Sequence, residues 1–270
     1  MTHKTTAAAP APLAEASSGV KPARLFRGSA PGGAFRQRLT PSRANLDFLS
    51  CGEYELPGDS ESQTFCLPRE ESLLFQVQGR TRVTVNGQGF KLQRYDSIYI
   101  PVGAELSLAN PWAEGSLVYQ CSAPAEKSHP VHYSCFAEYS KREDRIRRLK
   151  GKDVYMMFDV SEAADKLVAG YTFFQPYQRS WPPHNHTDQE EVYIFIEGPA
   201  AMEVYESPEK LWWVHSVGPG DAVSIPPLNY HPVFSQEEPC VFIWCIAGER
   251  YWVGDKSKDF MSGRVDKITT

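Results

Sequence analysis

The sequence predicts an all-β fold of two similar antiparallel units joined by a linker, and three observations predict it. Short runs of β-branched and aromatic residues, separated by turn residues, fill the chain from about Leu25 with little helical periodicity. SLLFQVQG, TRVTV, SIYIP and SLVYQ occupy one half; YTFFQ, EVYIFIEG, MEVYE, LWWVHSV, AVSIP and CVFIWCIAG occupy the other. The halves also repeat each other. SLLFQVQG, starting at Ser72, aligns with EVYIFIEG, starting at Glu191, and YDSIYIPVGAEL aligns with GDAVSIPPLNYH through the Pro101 and Pro226 turns. Closely spaced short strands of this kind belong to antiparallel barrels or sandwiches, and two barrels are expected.

The elements follow in order. Residues 1–24, rich in Ala, Pro, Ser and Thr, form a tail that cannot bury enough surface to order itself. Glu15 is the only acid before Arg43, as in organelle transit peptides, but the Pro content argues against an amphipathic helix. Residues 25–125 form the first unit, in which Asn86-Gly87 between TRVTV and GFKL is a two-residue hairpin signal. Residues 126–155, more polar and irregular, form a linker with a short helix. Residues 156–255 form the second unit, and residues 256–270 a C-terminal tail.

The chain has 270 residues, enough for a sizeable core without disulfide or metal staples. Lys and Arg number 28 against 33 Asp and Glu, so a net charge of −5 offers no basic field to nucleic acid. No apolar run approaches the roughly 20 residues of a membrane-spanning helix. The six cysteines are scattered without a CxxC pair, which predicts buried free thiols in a reducing compartment.

Polar chemistry concentrates in the second half. In WPPHNHTDQEEVY, His184 and His186 are two apart, so on a strand their side chains share one face, as a divalent transition metal requires. Strand parity favours Glu190 as the carboxylate to join them, whereas a turn at Thr187-Asp188-Gln189 would free Glu191 to do so. His231, after the Pro226-Pro227 turn, is the fourth ligand candidate. The first half has Phe65, Leu67, Ser72 and Leu106 at the matching positions, so no metal is expected there. His215 is expected as a core histidine, and His129 and His132 as solvated linker residues.

These residues carry a resemblance. HNHTDQEEVYIFIEG is similar to the first motif of the cupin superfamily, and GDAVSIPPLNYH to the second, with Leu228 in place of the usual Gly. The motif spacing implies Glu191 rather than Glu190 as ligand. Gln178 stands where the first motif has its leading Gly and Ser235 where the second has its closing Asn, unlike germin-like or oxidase cupins. The resemblance implies a bicupin, two jelly-roll-type barrels with the metal in the second. SWPPHNH, the Glu191-x-Tyr193 step, LNYHPV and FIWCIAGE further resemble the 5-deoxy-glucuronate isomerase family, which includes 5-dehydro-4-deoxy-D-glucuronate isomerase.

That family implies a cytoplasmic aldose–ketose isomerase of inositol or pectin-derived sugar-acid catabolism, with a small-molecule uronate substrate and no nucleic-acid or membrane partner. One divalent ion is implied at His184, His186, Glu191 and His231: zinc first, with manganese, iron or nickel as alternatives. A homo-oligomer is expected. Tyr193 shares the face of Glu191 on one strand and is the candidate catalytic hydroxyl, against the plainer reading of an aromatic filling the interior. Arg179 is the candidate cation for the substrate carboxylate, against that of an exposed loop arginine. The competing readings are a cupin dioxygenase on the same four ligands and a non-catalytic sugar-binding protein.

Overall fold

The structure is a computed structural model that describes residues 19–28, 35–180, 183–207 and 210–248. Of the expected tails, residues 1–18 and 256–270 lie outside the described residues. The first half runs β1 (Arg24–Phe26), β2 (Phe35–Leu39), β3 (Ser50–Leu56), β4 (Ser60–Cys66), β5 (Glu70–Gln78), β6 (Thr81–Val85), β7 (Gln88–Leu92), β8 (Ser97–Ile100), β9 (Glu105–Asn110) and β10 (Ser116–Pro124). The second runs β11 (His132–Ser134), β12 (Ile146–Leu149), β13 (Lys152–Phe158), β14 (Val168–Phe174), β15 (Glu190–Glu197), β16 (Ala200–Ser207), β17 (Lys210–Val217), β18 (Ala222–Ile225), β19 (Val233–Ser235) and β20 (Cys240–Ala247). Among the described residues helix is confined to short turns such as α1 (Pro41–Ala44) and α2 (Phe136–Tyr139). No helix among the described residues is long and apolar enough to cross a membrane.

Among the described residues four antiparallel sheets result, ordered β11-β8-β5-β10-β3-β2 and β4-β9-β6-β7 in one pair, β1-β18-β15-β20-β14-β13-β12 and β17-β16-β19 in the other. Each large sheet packs on its small sheet over an apolar core. Tyr54, Leu74, Ile98 and Val118 meet Val83, Leu106 and Leu108 in one pair, and Tyr193, Trp244 and Ile246 meet Met202, Val204 and Val233 in the other. The two large sheets also pack back to back, with Leu73, Phe75 and Cys121 against Val192, Ile194 and Cys245.

A large-sheet strand is therefore buried on both faces, which is why EVYIFIEG is nearly continuous in apolar residues rather than alternating. Val192 and Ile194 fill the space between the halves, while Tyr193 and Phe195 point into the second half. Each such burial contributes about 1.5–3 kcal/mol.

The repeat read from sequence is a structural repeat. Ser72 pairs with Ile100 across β5 and β8, and Glu191 pairs with Ile225 across β15 and β18. The Asn86-Gly87 hairpin has both residues in the left-handed region, φ 49° and 81°, with Val85 opposite Gln88. The expected barrels take a more open form. Among the described residues no sheet closes on itself, because the edges of the small sheets end without bonding to the large ones.

The halves are interlocked. β1 of the first half pairs with β18 in the second large sheet, and β11 pairs with β8 in the first. The segment 126–155, expected as a linker, thus supplies β11 to one sheet and β12 with the start of β13 to the other.

Candidate metal centre

Two chain segments run side by side and bring the histidines together. Ser180 N donates to Val233 O at 2.7 Å, and Leu228 N to His186 O at 2.7 Å. In this extended segment Ser180, His184 and His186 are buried, and Arg179 points the other way. The turn before His231 carries Leu228 at φ 70°, and the equivalent turn of the first half has Gly103 at φ 76°, donating to Leu67 O as Leu228 does to His186 O. That correspondence confirms Phe65, Leu67, Ser72 and Leu106 as the positional equivalents of His184, His186, Glu191 and His231.

His184, His186, Glu191 and His231 are all buried and offer ligand atoms within 4.8 Å of one another. Glu191 Oε2 lies 3.0 Å from His186 Nε2 and 3.1 Å from His231 Nε2. His231 Nδ1 is 2.7 Å from Asn229 O. A carbonyl oxygen only accepts, so Nδ1 carries the proton and Nε2 turns towards the carboxylate. A cation or a proton must lie between those two atoms. Two ligands at ~2.0–2.1 Å from one ion are roughly 2.9–3.4 Å apart at octahedral or tetrahedral angles, which the observed separations fit. Burial alone would push the Glu191 carboxyl up, but the charge and hydrogen bonds of His186 and then His231 hold it down to about 2.

The choice between the two glutamates is decided by the sheet faces. Glu190 points between the halves, where its carboxylate accepts bonds from the N–H groups of Asp47, Phe48 and Leu49 at 2.5–2.8 Å. Glu191 points to the histidines.

Tyr193 lies on the metal side of β15, its ring 5.6 Å from the ring of His231. Burial, then the charge of Glu191, pushes its hydroxyl well above the ordinary tyrosine value. Arg179 is not beside the cluster. Its guanidinium pairs with Glu203 and reaches Tyr205 Oη at 3.3 Å, on the exposed side of β16, whose Met202 and Val204 face inward.

His215, expected as a core histidine, is instead exposed on β17, 4.9 Å from the Trp213 ring, although it shares the strand parity of buried Trp213 and Val217. His129 is paired with Asp165 at 2.8 Å and His132 lies 2.8 Å from Tyr139 Oη, so neither is simply solvated. Sequence reasoning missed Asn229. Besides orienting His231 through its carbonyl, its buried side chain accepts from Ala23 N and donates to Lys21 O and Pro226 O, binding the β1 segment to the ligand turn. Four of the six cysteines are buried and all are free.

Fold and cluster together define a cupin-like all-β protein with a candidate metal centre in its second half. The profile of the KduI/IolB family matches residues 25–261, and the chain belongs to that family. Among curated relatives, a 4-deoxy-L-threo-5-hexosulose-uronate ketol-isomerase of Bacillus pumilus is 25% identical over 222 residues, covering 73% of this chain and 74% of the relative. One of Cereibacter sphaeroides is 26% identical over 189 residues, covering 68% of each. Among solved structures, an IolB-like protein of Salmonella typhimurium superposes with a TM-score of 0.70 at 22% identity, over 83% of this chain and 92% of that one. A variant of Bacillus subtilis oxalate decarboxylase gives 0.68 at 16% identity, over 95% and 86%. At these identities the structural likenesses show the fold alone. The chain is an isomerase enzyme of its family.

Proposed function

We propose that the protein is a metal-dependent aldose–ketose isomerase of a deoxy-uronate sugar acid, of the 5-deoxy-glucuronate or 5-dehydro-4-deoxy-glucuronate type. The observation that carries the metal dependence is the pair His231 Nε2 and Glu191 Oε2, 3.1 Å apart, with the imidazole proton committed to Asn229 O. His184, His186, Glu191 and His231 would hold one divalent ion, zinc by donor set, and each sheet pair is an open form of a jelly-roll barrel. The ion would supply Lewis-acid polarisation of a substrate carbonyl.

The chain's own part is positioning and proton handling. Isomerisation moves a proton between adjacent carbons, so a base must take it from one carbon and return it to the other while a donor holds the substrate oxygen. Tyr193 Oη is held protonated by burial and stands next to a candidate ligand histidine, so it serves as hydrogen-bond donor to the substrate oxygen. The apolar walls, Ile225, Val233 and Ile246, exclude water from the reacting carbons. The enzyme acts in the cytoplasm as a homo-oligomer.

His231→Ala tests this reading. The variant should lose its metal and its isomerisation of 4-deoxy-L-threo-5-hexosulose uronate together. Full metal content with retained isomerisation in a folded His231→Ala protein would overturn the proposal. Oxygen consumption by the wild type with catechol- or thiol-type substrates, without isomerisation, would favour the dioxygenase reading.

A further inference from the structure

The internal repeat superimposes a closed polar network in the first half on an open one in the second. In the first half a cavity of about 180 Å³ lies at the place equivalent to the metal centre, lined in part by Tyr54, Glu70, Gln120 and Ser122. Its polar groups satisfy one another. Tyr54 Oη donates to Gln120 Oε1 at 2.6 Å, Gln120 Nε2 to Ser72 Oγ at 3.3 Å, and Ser122 Oγ to Glu70 Oε2 at 2.9 Å.

The registers give the counterparts. Gln120 pairs with Leu74 and Gly52, and Trp244 pairs with Tyr193 and Gly170, so Gln120 and Trp244 are equivalent. Glu70 and Gln189 each directly precede the inter-half glutamate of their own strand, Glu71 or Glu190, and are equivalent too. The two replacements are left open. Gln189, 2% exposed, has neither its amide oxygen nor its amide nitrogen bonded to any described residue, and Trp244, 8% exposed, has an unbonded indole Nε1.

A buried polar group without a partner is destabilising by about 1–3 kcal/mol, so natural proteins seldom retain one without a use for it. Both lie on the wall of the metal centre. Gln189 precedes Glu191 by two residues and Tyr193 by four, and Glu190 between them points the other way. Trp244 stands opposite Tyr193 in the sheet, its indole leaning over Gly170, where a Cβ would come within 2.8 Å of Cζ2.

We propose that Gln189 and Trp244 bind the substrate of this centre, the Gln189 amide a hydroxyl and the Trp244 N–H a carbonyl or carboxylate oxygen. The assignment follows from donor inventory. An amide both donates and accepts, as a hydroxyl does, whereas an indole only donates and needs an oxygen that only accepts. The ligand class is therefore a polyhydroxylated carbonyl acid, and the inference rests on the isomerase reading above. It also separates the two halves in function: the first half closes its network on itself, and the second keeps its bonds for the ligand.

Gln189→Met, close in volume, and Trp244→Phe test it on the full-length, metal-loaded protein. Metal content, the thermal midpoint without ligand, and calorimetric affinity for an equilibrated mixture of 4-deoxy-L-threo-5-hexosulose uronate and its isomer are measured together. Gln189→Met should keep its metal, melt no lower than wild type, and bind the mixture about tenfold or more weakly. Trp244→Phe should show the same loss of affinity; if its smaller ring prevents folding, the affinity of Gln189→Met decides the matter. Affinity within twofold of wild type, or a fall in midpoint or metal content that accounts for the loss, would overturn the assignment. A wild-type protein that neither binds nor isomerises the sugar acid would instead refute the isomerase reading, and this inference with it.

Discussion

Glu71 and Glu190 hold equivalent places in the two halves, and each carboxylate crosses into the opposite half to cap a backbone loop. Glu190 accepts from the N–H groups of Asp47, Phe48 and Leu49 ahead of β3, and Glu71 from those of Asp165, Lys166 and Leu167 ahead of β14. Each stands beside the position of Glu191, a candidate metal ligand, in one half, or of its equivalent Ser72 in the other. The exchange of β1 and β11 adds a second reciprocal link, so the repeat is fused at its centre rather than strung on a linker.

The first prediction concerns that clamp. Glu71→Met leaves three backbone N–H groups without their acceptor and should lower unfolding stability by about 2–4 kcal/mol. Urea denaturation of the purified variant measures it. Metal content should stay at the wild-type level, since Glu71 serves the half without the cluster.

The adjacent glutamates separate cleanly. Glu191→Gln removes an anionic ligand and should weaken metal binding by roughly a hundredfold or more. Glu190→Gln should retain the metal and instead lose stability, because its amide can no longer accept from all three N–H groups. Metal analysis and thermal melting of the two variants, run in parallel, distinguish the roles.

Asp165 should contribute to acid sensitivity. Burial works against its charged form, but the N–H groups of Lys127 and Glu126 and the ring of His129 hold the carboxyl down to about 2. A folded value below the ordinary one, 3.8, means the contribution is fully present above about pH 4 and is lost as pH falls towards 2. Comparing urea midpoints at pH 5 and pH 2.5 should show a smaller drop in Asp165→Asn than in the wild type.

Leu228 adopts φ 70° where the first half uses Gly103, and it is 42% exposed, so little packing compensates for the strain. A left-handed side-chain-bearing residue costs about 1–2 kcal/mol, offset in part by the greater backbone entropy of glycine in the unfolded chain. Leu228→Gly should therefore stabilise the protein by about 0.5–1 kcal/mol. A thermal midpoint below that of the wild type would show that the leucine side chain makes a contact worth more than the strain.

Short runs of β-branched and aromatic residues, the Asn86-Gly87 turn and the repeat of SLLFQVQG with EVYIFIEG were enough to determine an all-β chain of two similar halves. They suffice because strand period and turn chemistry are local properties of a few neighbouring residues. The spacing of His184, His186 and His231 also marked the cluster, since two blocks on fixed strands can converge only where the strands lead them.

The rest was decided by tertiary structure. Whether Glu190 or Glu191 faces the histidines depends on which side of β15 meets the other half, and both sides are buried, so no polar face betrays it in sequence. Arg179 is near His184 along the chain, yet it turns outward to Glu203 because strand parity sets its direction. The exchange of β1 and β11, the crossed carboxylates of Glu71 and Glu190, and the open hydrogen bonds of Gln189 and Trp244 join residues far apart in sequence or leave groups without partners. Such relationships exist only once the sheets have packed: the back-to-back packing of the two large sheets brings the distant backbone N–H groups to the carboxylates, and the packing of the second large sheet on its small sheet shuts water away from the indole.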